Sequence, residues 1–295
     1  MATYLVINLD RQTRRWAFMS AQLANLGLAA QRLPAVNGYD PAALADAASA
    51  PYGDMPNGEI GCFESHRRAW RHIIDNDLPG AFILEDDVLV SSDFANLAFD
   101  PELLATVDVI KLDACDWSAA YGPVRAEPAP GRVLRPLWGT ETSAACYFMT
   151  RRGAEKMLRH SRGYFIPVDT LMFNIDSKPY HDLVTLKLEP SAAVQLRYVM
   201  EEARLAPEIA DAMQQRRRLG QDQRPTRALA RRLRLMVRRL RDRDIRAVRR
   251  ARAEAFRKRN GPAEERVIAF HTTDRRHFES AAKLLDDAPA PVTGG

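Results

Sequence analysis

The chain has 295 residues, 46% of them hydrophobic and 27% charged, with a formal charge of +5. This is the composition of a folded globular protein, and it excludes a disordered or collagen-like chain; no apolar run reaches the roughly 18 residues that span a bilayer. The charge is divided: residues 213–259 hold 18 Arg, Lys258 and four acids, a net +15, which leaves −10 on the rest and excludes a uniformly basic nucleic-acid coat.

Residues 4–9 read as a short apolar strand, and a polar break follows at 10–13. Trp16, Met19, Leu23 and Leu26 then recur at helical spacing, and Gly27 closes the helix. Residues 33–36 read as a second strand and 40–56 as a loop. A second helix is expected over 60–76, with Phe63, Trp70 and Ile74 near one face. Residues 81–84 form a buried strand that runs into Glu85-Asp86-Asp87, with 88–90 apolar again. Further strands are expected at 107–112 and 183–188, a Pro- and Gly-bearing loop at 118–132, an apolar run at 144–149 and a helix at 151–159. Strands alternating with helices imply an α/β fold, a mostly parallel sheet covered on both faces.

From residue 201 the character changes. Residues 214–227 are polar and broken by Gly220 and Pro225. Thr226 is placed to cap a helix from 228 to about 258, in which Leu229, Leu233, Met236, Leu240, Ile245 and Val248 form one apolar stripe among arginines. Asn260-Gly261-Pro262 stops it. A strand at 267–270, a helix around 277–285 and a frayed tail complete the chain. The expected partition is a catalytic domain over 1–200, a basic helical segment over 201–262 and a C-terminal strand and helix over 263–295. The first ten residues lack the basic region of a signal peptide, and Cys62, Cys115 and Cys146 are widely spaced. Both features point to a cytoplasmic protein with reduced thiols.

Four places carry candidate chemistry. Three successive carboxylates, Glu85, Asp86 and Asp87, follow a buried strand, where their repulsion and desolvation call for a cation. Extended backbone would point Glu85 and Asp87 to one side and Asp86 to the other. Glu85 and Asp87 are hard oxygen ligands suited to Mg²⁺ or Mn²⁺, with a diphosphate completing the shell; the alternative is a solvated acidic turn. Second, Gly58 and Gly61 open a helix that carries His66, Arg67 and Arg71, placed to meet phosphate or sugar or simply to form a capped, solvated face. Third, Asn8, Arg11, Arg14 and Arg15 follow the first strand, where a nucleotide docks in open α/β sheets; the alternative is an exposed basic first turn of a helix. Fourth, Asp169 follows Pro167 and heads an apolar run; it is either a helix cap or a carboxylate base at a cleft mouth. His271, after the expected last strand, is a lone histidine, read first as structural or exposed and only second as a metal ligand.

Together these segments resemble glycosyltransferase family 25, the lipooligosaccharide and lipopolysaccharide biosynthesis glycosyltransferases. The matching stretches are VINLDRQTRR at 6–15, GEIGCFESHRRAW at 58–70, AFILEDDV at 81–88, DVIKL at 108–112, SAACYFMTRRGAEKML at 143–158 and PVD at 167–169. The resemblance implies a GT-A-like nucleotide-sugar fold. It also implies transfer of a hexose, often galactose, from a UDP-sugar to a saccharide acceptor with Mn²⁺ or Mg²⁺. The Glu85-Asp86-Asp87 cluster looks like the family's metal and sugar-nucleotide motif, with Glu in place of the first Asp. Asp87 and Glu85 are then the metal ligands. Asn8, Arg11, Arg15, His66, Arg67, Glu85 and Asp86 hold the donor, and Asp169 is the base. One base and one in-line displacement invert the anomeric centre.

The Arg-rich segment has three readings. Its stripe suits insertion at an anionic cytoplasmic membrane face, peripherally and without spanning it, which serves a lipid-linked acceptor. It also suits packing on the acidic body. Nucleic acid is the least favoured partner, because Phe256 is the only aromatic in 213–259. The rival functions are a nucleotidyl- or phosphotransferase using the same carboxylate–metal–diphosphate site, and an inactive membrane- or nucleic-acid-binding module.

Overall fold

The computed structural model describes residues 2–44, 55–115, 118–164, 166–199, 254–256, 258 and 261–271. In chain order the elements are β1 (Tyr4–Asn8), α1 (Thr13–Asn25), β2 (Ala30–Pro34), α2 (Asn57–Asp75), β3 (Gly80–Glu85), β4 (Val88–Val90), α3 (Pro101–Leu104), β5 (Val109–Lys111), β6 (Ala119–Tyr121), β7 (Ala126–Ala129), β8 (Arg132–Pro136), β9 (Cys146–Thr150), α4 (Arg151–His160), α5 (Val168–Phe173), α6 (Lys178–Asp182), β10 (Thr185–Glu189), β11 (Ala193–Gln195) and β12 (Glu264–Arg266).

Eight of these strands form one sheet in the order β2-β1-β3-β9-β5-β10-β8-β7. Six of the eight point the same way; β9 and β8 run against them. The expected α/β class, with a mostly parallel sheet between helices, is therefore what the chain forms. Alternation along each strand splits the core in two. Tyr4, Val6, Phe82, Leu84, Ile110 and Phe148 meet α1 through Phe18, Met19 and Leu23 on one face. Leu5, Ile7, Ala81, Ile83, Val109, Tyr147 and Met149 meet Phe63, Trp70 and Ile73 of α2 and Met157 of α4 on the other. Both faces are covered, so the central strands read as near-continuous apolar runs.

Three expectations need correction. Residues 118–132 are not one loop: they hold β6 and β7, and β7 and β8 form a hairpin at the sheet edge. The Pro and Gly that suggested a loop are the hairpin's own features, since Pro128 lies in an edge strand and Gly131 takes a φ of 75° between β7 and β8. The strand expected at 33–36 lies at Ala30–Pro34, where its pairing with β1 fixes it. The strand expected at 267–270 lies at Glu264–Arg266, paired with β6.

The basic helix expected over 228–258 lies outside the described residues except at 254–256 and 258, which are helical. The polar stretch 214–227, the helix 277–285 and the tail lie outside them altogether. Among the described residues no helix is long and apolar enough to cross a membrane. None of the three cysteines is in a disulfide.

Candidate functional site

The topology makes a crevice at one place. From β1 the chain moves through α1 to β2 on one side. From β2 it returns through α2, on the opposite face, to β3 on the other side of β1. Such a reversal opens a cleft at the carboxyl ends of the two strands. Asn8 ends β1 and Glu85 ends β3, so the acidic cluster sits in the mouth of that cleft.

The backbone turns at Asp86 and Asp87 rather than staying extended, but the expected division of the carboxylates holds. Asp86 faces β1: Asn8 Nδ2 donates to one oxygen at 2.7 Å and Arg15 Nη1 to the other at 3.0 Å. Glu85 and Asp87 share a different partner, Gln195, whose Nε2 lies 3.1 Å from Glu85 Oε2 and 3.4 Å from Asp87 Oδ1. Gln195 arrives because β11 pairs with β4, which sets it opposite Val88. Leu196 N also donates to the Asp87 carbonyl at 2.8 Å.

Crowding splits the acidities. Burial, reinforced by the adjacent Glu85 charge, pushes the Asp87 carboxyl up to about 6. Burial also lifts Asp86 above its ordinary value, against the pull of Arg15 and Asn8. For Glu85 burial acts in the same upward direction but is outweighed by the His66 hydrogen bond and charge, Arg197 and the Cys62 thiol, so this carboxyl stays below its usual range. Two carboxylates brought together at the cost of raising one of them suit a divalent cation, and their hard oxygens fit Mn²⁺ or Mg²⁺.

Two grooves meet at this cluster. One, of about 230 Å³, is lined by Arg11, Arg15, Asn37, Gly38, Tyr39, His66, Glu85, Asp86 and Asp87 among others. The second, of about 200 Å³, is lined by Ser143, Pro167, Asp169, Gln195 and Arg197. Cys62 and Glu85 belong to both. Asp169 is in the first turn of α5, where Pro167 and not Asp169 is the N-cap. Its Oδ2 accepts from Ser143 N at 2.9 Å and its Oδ1 from Thr170 N at 2.6 Å.

Most of the residues expected at the site therefore come together: Arg11, Arg15, His66, Glu85, Asp86 and Asp87 on the first groove, and Asp169 on the second. Asn8 stands behind the wall. It is 1% exposed, its Nδ2 is occupied by Asp86 and the Gln12 carbonyl, and its Oδ1 accepts from Arg32, so it positions Asp86 and lines neither groove. Arg67 points away. It is 4% exposed, donates to Ser161 at the end of α4 and pairs with Glu64. This follows from helical geometry, which turns successive residues of α2 by about 100°, so His66 and Arg67 cannot share a face. His271 also lies off both grooves, its backbone carbonyl accepting from Arg132. Sequence reasoning missed Gln195, Ser143 and Arg197, which long-range pairing delivers. It also missed Cys62, whose i,i+4 relation to His66 was visible.

The model for glycosyltransferase family 25 (LPS biosynthesis protein) matches residues 1–119. Procollagen galactosyltransferase 2 of Homo sapiens is 28% identical over 156 residues, 46% of this chain and 24% of that protein. Lipooligosaccharide biosynthesis protein lic2B of Haemophilus influenzae is 24% identical over 154 residues, 49% of this chain and 56% of that one. The chain thus spans about a quarter to a half of the length of these relatives. Among solved structures, A197 from STIV covers 65% of this chain and 83% of its own, at 14% identity and a TM-score of 0.38.

Proposed function

We propose, from the match of residues 1–119 to the model for glycosyltransferase family 25, that the protein transfers a hexose, galactose, from a UDP-sugar to an envelope glycan of the lipooligosaccharide or lipopolysaccharide type. The observation that carries the reading is the carboxylate cluster at the junction of two grooves, with Asp86 held by Asn8 and Arg15 and with Asp169 lining the second groove together with Glu85. The relatives' names supply the sugar and the acceptor class.

In this reading the first groove takes the nucleotide sugar. Arg11 and Arg15 offset the diphosphate charge, and Asp86, fixed from behind, faces the ribose. Asp87 and Glu85 hold Mn²⁺ or Mg²⁺; such a cation, when bound, supplies Lewis-acid neutralisation of the departing diphosphate. The acceptor enters the second groove, and Asp169 takes the proton of its attacking hydroxyl. The new C1–O bond forms as the bond from C1 to the diphosphate oxygen breaks, UDP leaves and the anomeric configuration inverts. Residues 1–200 perform this chemistry, and residues 226–259 bring the protein to the anionic inner face of the plasma membrane.

The test is UDP release and sugar transfer from a panel of UDP-sugars with Mn²⁺, comparing the wild type with Asp87→Asn. Release of UDP by the wild type and its loss in the variant, together with loss of Mn²⁺ binding, is expected. Release of pyrophosphate or phosphate instead would favour the nucleotidyl- or phosphotransferase alternative. Absence of both UDP and Mn²⁺ binding would favour an inactive binding module.

A further inference from the structure

Cys62, His66 and Glu85 bring three different ligand types together at the junction of the two grooves. Cys62 and His66 are one helical turn apart on α2, and Glu85 ends the adjacent β3. The Cys62 Sγ, a His66 ring nitrogen and a Glu85 carboxylate oxygen all lie within 4.8 Å of one another. His66 Nε2 is 3.3 Å from Glu85 Oε1, and Cys62 Sγ is 3.7 Å from the same oxygen. A tetrahedral zinc ion has bonds of about 2.0 Å to N and O and about 2.3 Å to S, which sets its N···O edge near about 3.3 Å and its S···O edge near about 3.5 Å. The observed spacings match within a few tenths of an ångström, before any ion has drawn the ligands in.

The surroundings are those of a metal site. His66 Nδ1 lies 2.9 Å from the Tyr147 hydroxyl, and Trp70 Nε1 donates to that same hydroxyl at 2.9 Å. This buried pair fixes the imidazole plane from behind, as outer-sphere partners of metal-bound histidines do. The second oxygen of Glu85 accepts from Gln195. Cys62 and Glu85 line both grooves, which provides an entry path.

We propose that Cys62, His66 and Glu85 form a three-ligand site for a thiophilic divalent cation of the zinc class, separate in chemistry from the all-oxygen Glu85–Asp87 pair. On binding, the Cys62 thiol proton passes to solvent, and His66 carries its proton on Nδ1, donated to Tyr147, so that Nε2 offers its lone pair. The ion and the donor's cation compete for Glu85, so zinc inhibits any reaction that needs Glu85 at the donor. The site itself does not depend on the glycosyltransferase reading.

The experiment is titration of the full-length, reduced protein with Co²⁺ as a spectroscopic probe, without donor or acceptor. A thiolate-to-cobalt charge-transfer band that saturates at one ion per chain and is bleached by Zn²⁺ is expected. Cys62→Ser removes the band, whereas Cys115→Ser and Cys146→Ser retain it. His66→Gln, followed by zinc calorimetry and checked for folding by circular dichroism, weakens binding by roughly tenfold or more. No band in the wild type, a band that survives Cys62→Ser, or unchanged zinc affinity in a folded His66→Gln protein would overturn the proposal. Failure of sugar transfer leaves these readouts untouched, so the two readings fail separately.

Discussion

Lys111 and Lys187 face each other across two parallel strands, in register and without exposure. Two opposed ammonium groups repel, and burial makes both costly to keep charged. Asp113 and Glu141 offset this. Lys111 Nζ donates to Asp113 Oδ1 at 2.6 Å, and Lys187 Nζ donates to the Asp113 carbonyl and, at 3.0 Å, to Glu141 Oε2. Burial works to raise the Glu141 carboxyl, but Lys187, Lys111 and the Tyr121 hydroxyl outweigh it and hold the carboxyl below its usual range. Breaking such a network by Glu141→Gln is expected to cost about 3–5 kcal/mol. A carboxyl with a depressed folded pKa contributes stability that is present above its unfolded value, about 4.3, and lost as pH falls through the folded one. Thermal unfolding should thus show a wide gap between wild type and variant at neutral pH that closes in acid; a gap of constant width would contradict the assignment. The network also reaches the site, since Lys111 Nζ donates to the Ser143 carbonyl at 2.8 Å and Ser143 N donates to Asp169. Asp169→Asn keeps one acceptor oxygen for Ser143 N while removing the proposed base, so transfer should fall by about 10²–10⁴-fold with UDP affinity retained. Full activity in that variant would remove Asp169 from the mechanism.

At the level of elements, the first groove depends on how closely the loop after β2 approaches α2. A Cβ on Gly38 would sit 1.7 Å from the Asn57 carbonyl oxygen, and one on Gly61 would sit 2.6 Å from both Gly38 N and the Val36 carbonyl oxygen. All of these obstacles are backbone, so neither position accepts a side chain without the loop moving off α2. Gly61→Ala is expected to destabilise by about 1–3 kcal/mol in denaturant titration and to weaken UDP binding more than acceptor binding. Equal loss of both ligands would point to general unfolding instead. This contact was only half legible in the sequence. Gly58 and Gly61 marked a helix entrance, but nothing local named Gly38 as the partner. The same limit runs through the site. Strands β1 and β3 and the carboxylate cluster follow from apolar runs and charge, which are local signals. Gln195 reaches Asp87 only through the pairing of β11 with β4, more than 100 positions apart, and no short-range pattern encodes that. Strands β6 and β7 were hidden because Ala, Pro and Gly fit loops as well as they fit short edge strands.

Across the whole molecule, the described residues on either side of 200–253 are attached to the same body, the first of them through the 3₁₀ turn Leu196–Tyr198. Phe256 packs against Tyr180 and His181, with ring centroids 5.9 and 5.8 Å away. Strand β12 then pairs with β6, and Phe270 bridges to Ser191. The residues between 199 and 254 are thus bracketed by two attachments to the body, and the first lies two residues beyond Arg197, which lines the groove that also holds Asp169. In the proposed reading, a surface bound by the basic segment is linked through both attachments to the body that carries the groove, which would raise the effective concentration of an acceptor displayed there without adding a contact to the acceptor itself. Replacing a block of arginines within 227–252 by Gln should therefore raise the KM for an acceptor presented on anionic vesicles and leave the KM for the same glycan free in solution unchanged, dividing tethering from recognition in one pair of measurements.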